Sequence, residues 1–396
     1  MIEYLHQLDA ARWSSLDFTS ALYLGIRHPS RLLRPWSQLT TGKPAALEAA
    51  PSAQAVAKAL AQLQGCQNAI LLPSTLHLFF DLFEVLRPGR IKVYIDANAY
   101  PIAGWGAERA ASRGVPLQRV PHYNPEATRV AIEKDNGKQM RPVIVADGFC
   151  PGCGRPAPLY EYLQCVTGRG GYVVLDDTQA LGIWGTGPGS KNPYGSGGGG
   201  SLRLHGLRSP RVILGSSLAK GFGVPLAALS GSARLIQCFM QRSETRVHTS
   251  PPSTVALHAA AHALEVNARH GDKIRLRLAK LVMRFRAIVR HIKLPDTGSL
   301  FPVQMLALGR ETDAVRLQER LLSRGVRTAV VHSAVSTRAK LVFVINASHS
   351  IYDIDLAIRT LKIVLEDCAP DVSFTGSEPT LSRDEDVEEL LRRCDT

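Results

Sequence analysis

Long apolar runs, acidic residues and patterned cysteines are what this 396-residue sequence lacks. No uninterrupted apolar stretch approaches the roughly 18–20 residues needed to cross a bilayer, which excludes a multi-span membrane protein. The opening MIEYLHQLDAARW interleaves charged and apolar side chains and lacks the basic-then-apolar order of a secretion signal. The seven cysteines are odd in number and scattered, at 66, 150, 153, 165, 238, 368 and 394. No disulfide framework is expected from them, and a reducing cytoplasm is the expected location. Acids are outnumbered: 34 Asp and Glu stand against 47 Lys and Arg, for a formal charge of +13. Such a surplus points to an anionic partner, be it nucleic acid, lipid surface, phosphate or an acidic carrier protein, without choosing among them. A hydrophobic content of 45% and a mean hydropathy of −0.02 exclude wholesale disorder.

What the chain does have is alternation. Short, apolar, unalternating runs occur at Ala69–Pro73, Ile91–Ile95, Pro142–Ala146, Tyr172–Leu175, Arg211–Gly215 and Leu226–Ser230. Strands covered on both faces have this texture. Helical segments lie between them, such as Ala53–Gln64, which stops at Gly65, and Thr75–Leu86. Strand and helix in alternation predict a mostly parallel α/β sheet. After Pro251-Pro252 a long helical stretch, Ser253 to His291, leads into a smaller α/β block. That block reads as strand Val303–Leu308, helix Thr312–Arg324, strand Leu341–Ile345 and helix Asp353–Leu365. The expected organisation is an N-terminal segment 1–45 packed on the small domain and a large domain 46–252. A connecting helix 253–292, a small domain 293–368 and a tail 369–396 follow. In the tail, Ser382 and Glu385 make a capping box for a short charged helix. Gly185–Gly200 (GTGPGSKNPYGSGGGG) is expected to be loose.

Most apparent motifs carry no chemistry. Cys150-Pro151-Gly152-Cys153 has no second pair at matching spacing, so it reads as ordinary thiols in a turn, and no metal site is expected. His262 reads as a packing or surface residue, and no nucleic-acid-binding motif accompanies the positive charge. The informative pair is Asp176 and Lys220. Asp176 closes an apolar strand, where open α/β sheets place ligand groups. Lys220 follows another strand, within Ile213–Gly223, and its small neighbours admit a bulky cofactor. A lysine amine for a Schiff base, and a carboxylate that keeps a pyridine nitrogen protonated, are what pyridoxal phosphate chemistry needs. Taken singly, such residues are more often a surface lysine and a loop-capping acid. Together they favour function.

On these residues the sequence resembles the class II aminotransferase family of pyridoxal 5'-phosphate enzymes. The likeness is strongest to its α-oxoamine synthase branch (aminooxononanoate synthase-like), and runs from Tyr23-Leu24-Gly25 to about Glu366. The family's Asp-Glu-Ala-His-x-x-Gly is similar to Asp176-Asp177-Thr178-Gln179-Ala180-Leu181-Gly182, and its Thr-Leu-Ser-Lys-Ala to Ser217-Leu218-Ala219-Lys220-Gly221. Asp147-Gly148-Phe149 through Ala157-Pro158-Leu159 matches the ends and length of its Glu-Gly…Ala-Pro-Leu segment. The resemblance implies a fold-type-I transferase, with a large domain on a mostly parallel seven-stranded sheet and a smaller C-terminal α/β domain. It implies Lys220 as the catalytic lysine and pyridoxal 5'-phosphate as cofactor. Asp176 would meet the ring nitrogen, Gln179 the phenolic oxygen, and Tyr100 would stack on the ring face. Ser74, Thr75 and Leu76, at a helix start, and Ser217 would meet the phosphate. Thr249 would reach the phosphate from a neighbouring subunit, which implies a homodimer with a shared active site.

The departures bear on reaction type. Where the family has Arg-Leu-Arg-Ile-Thr, this chain has Lys340-Leu341-Val342-Phe343-Val344, and valine cannot make a bidentate carboxylate clamp. Either Arg338 or Lys340 holds a substrate carboxylate, or the substrate lacks one, or the local alignment slips. Pro151 replaces a serine, and a Gly-rich insertion precedes Lys220. The implied activity is that of a divergent member in a specialised biosynthetic pathway. It would acylate carbon of an amine or amino-acid substrate from an acyl thioester, with acyl-CoA or an acyl carrier protein as the anionic co-substrate. An aminotransferase on the same fold and a non-catalytic partner subunit are the alternatives. Nucleic-acid and membrane partners are not expected.

Overall fold

The computed structural model describes residues 15–28, 39–40, 42–47, 51–135, 139–292, 294, 299–308, 311–332 and 339–368. The expected tail helix with Ser382 and Glu385, and Arg338, lie outside the described residues. The chain divides into two compact units, one of Ile26–Cys150 with Pro156–Asp272, the other of Met1–Gly25, Pro151–Arg155 and Lys273–Thr396.

The first unit is built on a seven-stranded sheet. Its strands are β1 (Asn68–Leu72), β2 (Ile91–Asp96), β3 (Leu117–Val120), β4 (Arg141–Asp147), β5 (Tyr172–Asp176), β6 (Val212–Ser217) and β7 (Ala227–Gly231). They lie in the order β1-β7-β6-β5-β4-β2-β3. All neighbouring pairs are parallel except those of β7, which runs antiparallel to β6 and β1. Val143, Ile144 and Val145 of β4, Val173, Val174 and Leu175 of β5, and Val212, Ile213 and Leu214 of β6 are fully buried. This two-sided burial is why the strands read as continuous apolar runs rather than alternating ones. The run-based reading of the sequence assigned six strands and missed β3. As an edge strand it is mostly half-exposed and carries Gln118 and Arg119, so it leaves no apolar run.

Helices α1 (Pro51–Gln64), α2 (Thr75–Leu86) and α3 (Pro101–Ser112) alternate with the first strands. Leu78, Phe79, Leu82 and Phe83 of α2 join Ala103, Ala107 and Ala110 of α3 in one core cluster with Val93, Val143 and Val145. The two helices cross closely at Gly106, where an added Cβ would lie 2.1 Å from the Phe79 carbonyl oxygen. Further along come α4 (Ala233–Arg242), α5 (Glu244–His248) and the 38-residue α6 (Thr254–His291), within which the division between the units falls.

Gly185–Gly200, expected to be loose, is an ordered excursion. Bridges join Leu181 to Gly199, Thr186 to Ser196 and Gly189 to Asn192. Tyr194 is fully buried, with its ring edge-on to Trp184 at 5.3 Å. Asp272 and the Asn267 amide bond the backbone of Gly197. Glycine content signalled tight turns here, and two aromatic anchors supply the order.

In the second unit, β8 (Val303–Leu308), α7 (Glu311–Ser323), β9 (Ala329–His332), β10 (Ala339–Val344) and α8 (Ile351–Cys368) form a small α/β block. Its antiparallel sheet runs β8-β10-β9. Leu16–Asp17 pairs with Val326–Arg327 beside it, and Phe18 and Tyr23 set their rings edge-on to Phe343 and Phe301.

The helix crossing yields a paired prediction. Gly106→Ala forces backbone apart and is expected to cost about 1–3 kcal/mol. Gly104→Ala, whose Cβ would meet only Ile95 Cδ1 at 3.9 Å, is expected to gain up to about 1 kcal/mol from helix propensity. Urea unfolding of both variants checks the opposite signs.

Candidate active site

Parallel strands bring their C-terminal ends to one edge of the sheet, and the chain puts carboxylates there. Asp96 ends β2, Asp147 ends β4 and Asp176 ends β5, with Asp147 and Asp176 opposite each other in register. Lys220 comes to the same edge from the turn between β6 and β7. Leu218 and Phe222, both fully buried, hold that turn, and the Leu218 carbonyl accepts from the Phe222 and Val224 N–H groups. Lys220 Nζ lies 5.8 Å from the centroid of the Tyr100 ring. Burial pushes the lysine pKa down against the opposing attraction of Asp176 and Asp147.

Asp176 is buried, and burial pushes its carboxyl above the usual carboxylate range although Thr178 and Lys220 favour the anion. Its Oδ1 accepts from Thr178 N–H at 3.1 Å, and Thr178 Oγ1 accepts from Ser217 N–H at 2.9 Å, linking the ends of β5 and β6. Gln179 follows in the same turn and is half-buried. Asp177 engages Ser201. It takes hydrogen bonds from the Ser201 hydroxyl and N–H, and burial raises its carboxyl to about 7. Gly200 makes this possible: its φ is +84°, and a Cβ there would lie 2.1 Å from Asp177 Oδ2.

Tyr100 caps the start of α3 and is 51% exposed. Asp147 Oδ1 accepts its N–H at 2.9 Å. Burial, and then the charge of Asp176, raise the Asp147 carboxyl to about 8. The phenol of Tyr123 donates to the Asp147 carbonyl at 2.8 Å, and Asp96 in turn accepts from the Tyr123 N–H and bonds His122 Nδ1.

Leu72, Ala227 and Ser217 lie in one row across β1, β7 and β6. The start of α2 therefore opens at the same sheet edge as Ser217. Ser74 is its extended N-cap residue and makes no side-chain cap, its hydroxyl being paired instead with His77 Nδ1 at 2.8 Å. That leaves the first-turn N–H groups around Thr75 and Leu76 uncapped by Ser74. The Ser217 hydroxyl accepts from Ala219 N–H at 3.3 Å. Thr249 is the C-cap residue of α5, and its hydroxyl donates to Thr245 O at 2.7 Å.

Lys340 and Val342 belong to the second unit. Val342 is 3% exposed and sits opposite Met305 and Ala329 in the middle of the small sheet. Lys340 donates to Gly152 O at 3.2 Å. The valine is a core residue of its own unit, which explains its apolar identity.

A sequence model of aminotransferase class I and II matches residues 41–361. The chain belongs to this family. The 8-amino-7-oxononanoate synthase of Thioalkalivibrio sulfidiphilus is 30% identical over 260 residues, covering 65% of this chain and 60% of the relative. That of Alcanivorax borkumensis is 27% identical over 250 residues, covering 63% and 61%. The chain thus spans about 60% of the length of the curated relatives it matches. Serine palmitoyltransferase from S. paucimobilis, solved with a PLP–myriocin aldimine, superposes with a TM-score of 0.78 at 15% identity, covering 89% of this chain and 87% of that one. The 8-amino-7-oxononanoate synthase from Francisella tularensis superposes at 0.69 and 17% identity, covering 89% and 98%. These solved structures share the fold. No helix among the described residues of this aminotransferase-family chain is long and apolar enough to cross a membrane.

Asp147 and Thr178 are the site residues that reasoning from the sequence left without a role. For Asp147 the signal was present: like Asp176, it is an acid closing an apolar run. Its raised pKa fixes a pH dependence. Between about pH 4 and pH 8 the folded family member keeps a proton on Asp147 that the unfolded chain has released, so this group erodes stability as pH rises. With bound small molecules stripped off, Asp147→Asn is expected to gain melting temperature relative to wild type as pH goes from 5 to about 8. Thermal scans across that range check the sign.

Proposed function

We propose that this chain is a pyridoxal 5'-phosphate-dependent transferase in which Lys220 carries the cofactor. The observation that carries this reading is the convergence of Lys220, the buried Asp176 and the exposed Tyr100 ring at one sheet edge. The donor set fits the group. Asp176 is a buried carboxylate facing one lysine, an arrangement that a protonated ring nitrogen would complement. The half-exposed Tyr100 ring offers a flat wall, Gln179 an amide toward the phenolic oxygen, and the start of α2 with Ser217 offers N–H and hydroxyl groups to the phosphate.

The bound cofactor supplies an electron sink for the carbon bearing the substrate amine. The chain's own residues do the rest. Asp176 would hold the proton on the ring nitrogen. Lys220 is placed to move the proton at the substrate's α-carbon, and the burial that pushes its pKa down favours that role as a base. The N–H groups at the start of α2 would hold the phosphate, and the Tyr100 face would hold the ring beside that amine.

For the reaction we favour carbon acylation from an acyl thioester, the chemistry of the synthases it resembles, with acyl-CoA or an acyl carrier protein as donor. The +13 charge supports an anionic co-substrate, since one cofactor phosphate leaves most of it unmatched. Exposed Leu76, Phe80, Trp105, Met240 and Val247 on α2, α3, α4 and α5 support a homodimer, in which Thr249 serves the partner's phosphate. A cytoplasmic location accords with Cys66, Cys150, Cys153, Cys165 and Cys238, none of which is in a disulfide. Aminotransfer on the same site is the second reading, favoured by the family match.

Two experiments test this. Purified protein given the cofactor should turn yellow, and Lys220→Ala should lose the borohydride-reducible linkage; a colourless wild type that cannot be reconstituted contradicts the reading. Given an amine substrate and an acyl thioester, it should release thiol at a rate that falls steeply with added salt. A salt-indifferent rate contradicts an anionic docking surface. Turnover with keto acids and no thioester selects aminotransfer.

A further inference from the structure

One carboxyl at the sheet edge has no part in the chemistry above. Asp147 stands beside Asp176 in register, accepts Tyr100 N–H, and faces Asp96 and Lys220 as well. Its surroundings are therefore two acids from β2 and β5, one lysine from the β6–β7 turn, the Tyr100 N–H and, through its own carbonyl, the Tyr123 phenol. The Tyr100 carbonyl accepts from the Ala103 and Gly104 N–H groups, which ties it to its own helix. The Tyr100 ring is half-exposed, and the next residue, Pro101, begins α3 and has no N–H to offer. The bond from Tyr100 N–H to Asp147 links the start of α3 to the end of β4.

We propose that Asp147 is a positioning residue of the cofactor site: it tethers the Tyr100 backbone, and so the ring, above Lys220, and it keeps a second acid beside Asp176 under local control. The inference rests on the cofactor reading given above. Asp147 and Asp176 stand in register at one buried edge, and burial pushes both carboxyls up, so the pair favours sharing one proton and one negative charge, matched by one cation, which is the lysine before the cofactor attaches and would be the ring nitrogen afterwards. With both acids ionised, the pair would carry one negative charge too many for either partner. The two halves of the role separate by substitution. Asn keeps an oxygen for Tyr100 N–H and removes the titration; Ala removes both.

The test titrates cofactor into Asp147→Asn, Asp147→Ala, Tyr100→Ala and the Asp147→Ala/Tyr100→Ala double variant, and follows bound-cofactor absorbance against pH. Asp147→Ala is expected to weaken cofactor binding about tenfold, the scale of one hydrogen bond to a charged or buried group. The double variant should then bind no more weakly than Tyr100→Ala alone, because tether and ring act as one unit. Asp147→Asn should bind within about threefold of wild type yet shift the pH profile of the bound-cofactor absorbance. Additive losses in the double variant, or an unshifted profile in Asp147→Asn, overturn the proposal. If Asp147→Ala does not fold, the near-isosteric Asn profile decides alone. A wild type that binds no cofactor overturns the functional reading instead, so the two failures are distinguishable.

Discussion

Asp176 and Lys220 share a poorly solvated sheet edge, and much of the local structure serves to keep two opposite charges there. Removing either charge from water is costly unless the other is near and hydrogen bonds complete the shell. The pKa directions record that tension: the acid is pushed up and the lysine down, each by burial, and each is partly restored by the other. Only a rigid frame can hold such a pair. Parallel strands buried on both faces provide it, because their ends cannot shift without breaking the core beneath.

Three local devices set the pair's surroundings. Thr178 links Asp176 to Ser217, so the strand that carries the acid and the strand that leads to the lysine end in fixed relation. Asp177 reaches Ser201 through space that Gly200 leaves free, and this ties the ordered glycine-rich excursion to the end of β5. Asp96, through Tyr123, steadies the carbonyl of Asp147, and Asp147 steadies Tyr100. Each device is a short polar contact at the end of an apolar run. The core sets position to within a strand, and these contacts set it to within a side chain.

How much of this was legible in the sequence follows from the same division. The apolar runs of β4, β5 and β6 announced themselves because they are buried on both faces, and Asp176 and Lys220 stood out by closing or following such runs. The edge strand β3 was silent because three of the four residues Leu117–Val120 are only half-buried or exposed. Gly185–Gly200 misled because composition records turn propensity and not the anchoring by Trp184 and Tyr194, which depends on contacts distant in sequence. Val342 was noticed as a missing arginine, whereas in its own sheet it is a core residue between Met305 and Ala329. Asp147 closes an apolar run that is visible in the sequence, but its link to Tyr100 spans 47 positions and no local pattern shows it.

The central claim is that one lysine, set by the β6–β7 turn beside Asp176, is the point of cofactor attachment. The most direct measurement is borohydride reduction of the cofactor-loaded protein, followed by peptide mapping by mass spectrometry. A single pyridoxyl adduct is expected, on the peptide that contains Lys220, at about one per chain. Label spread over surface lysines, or concentrated on a lysine other than Lys220, would contradict it.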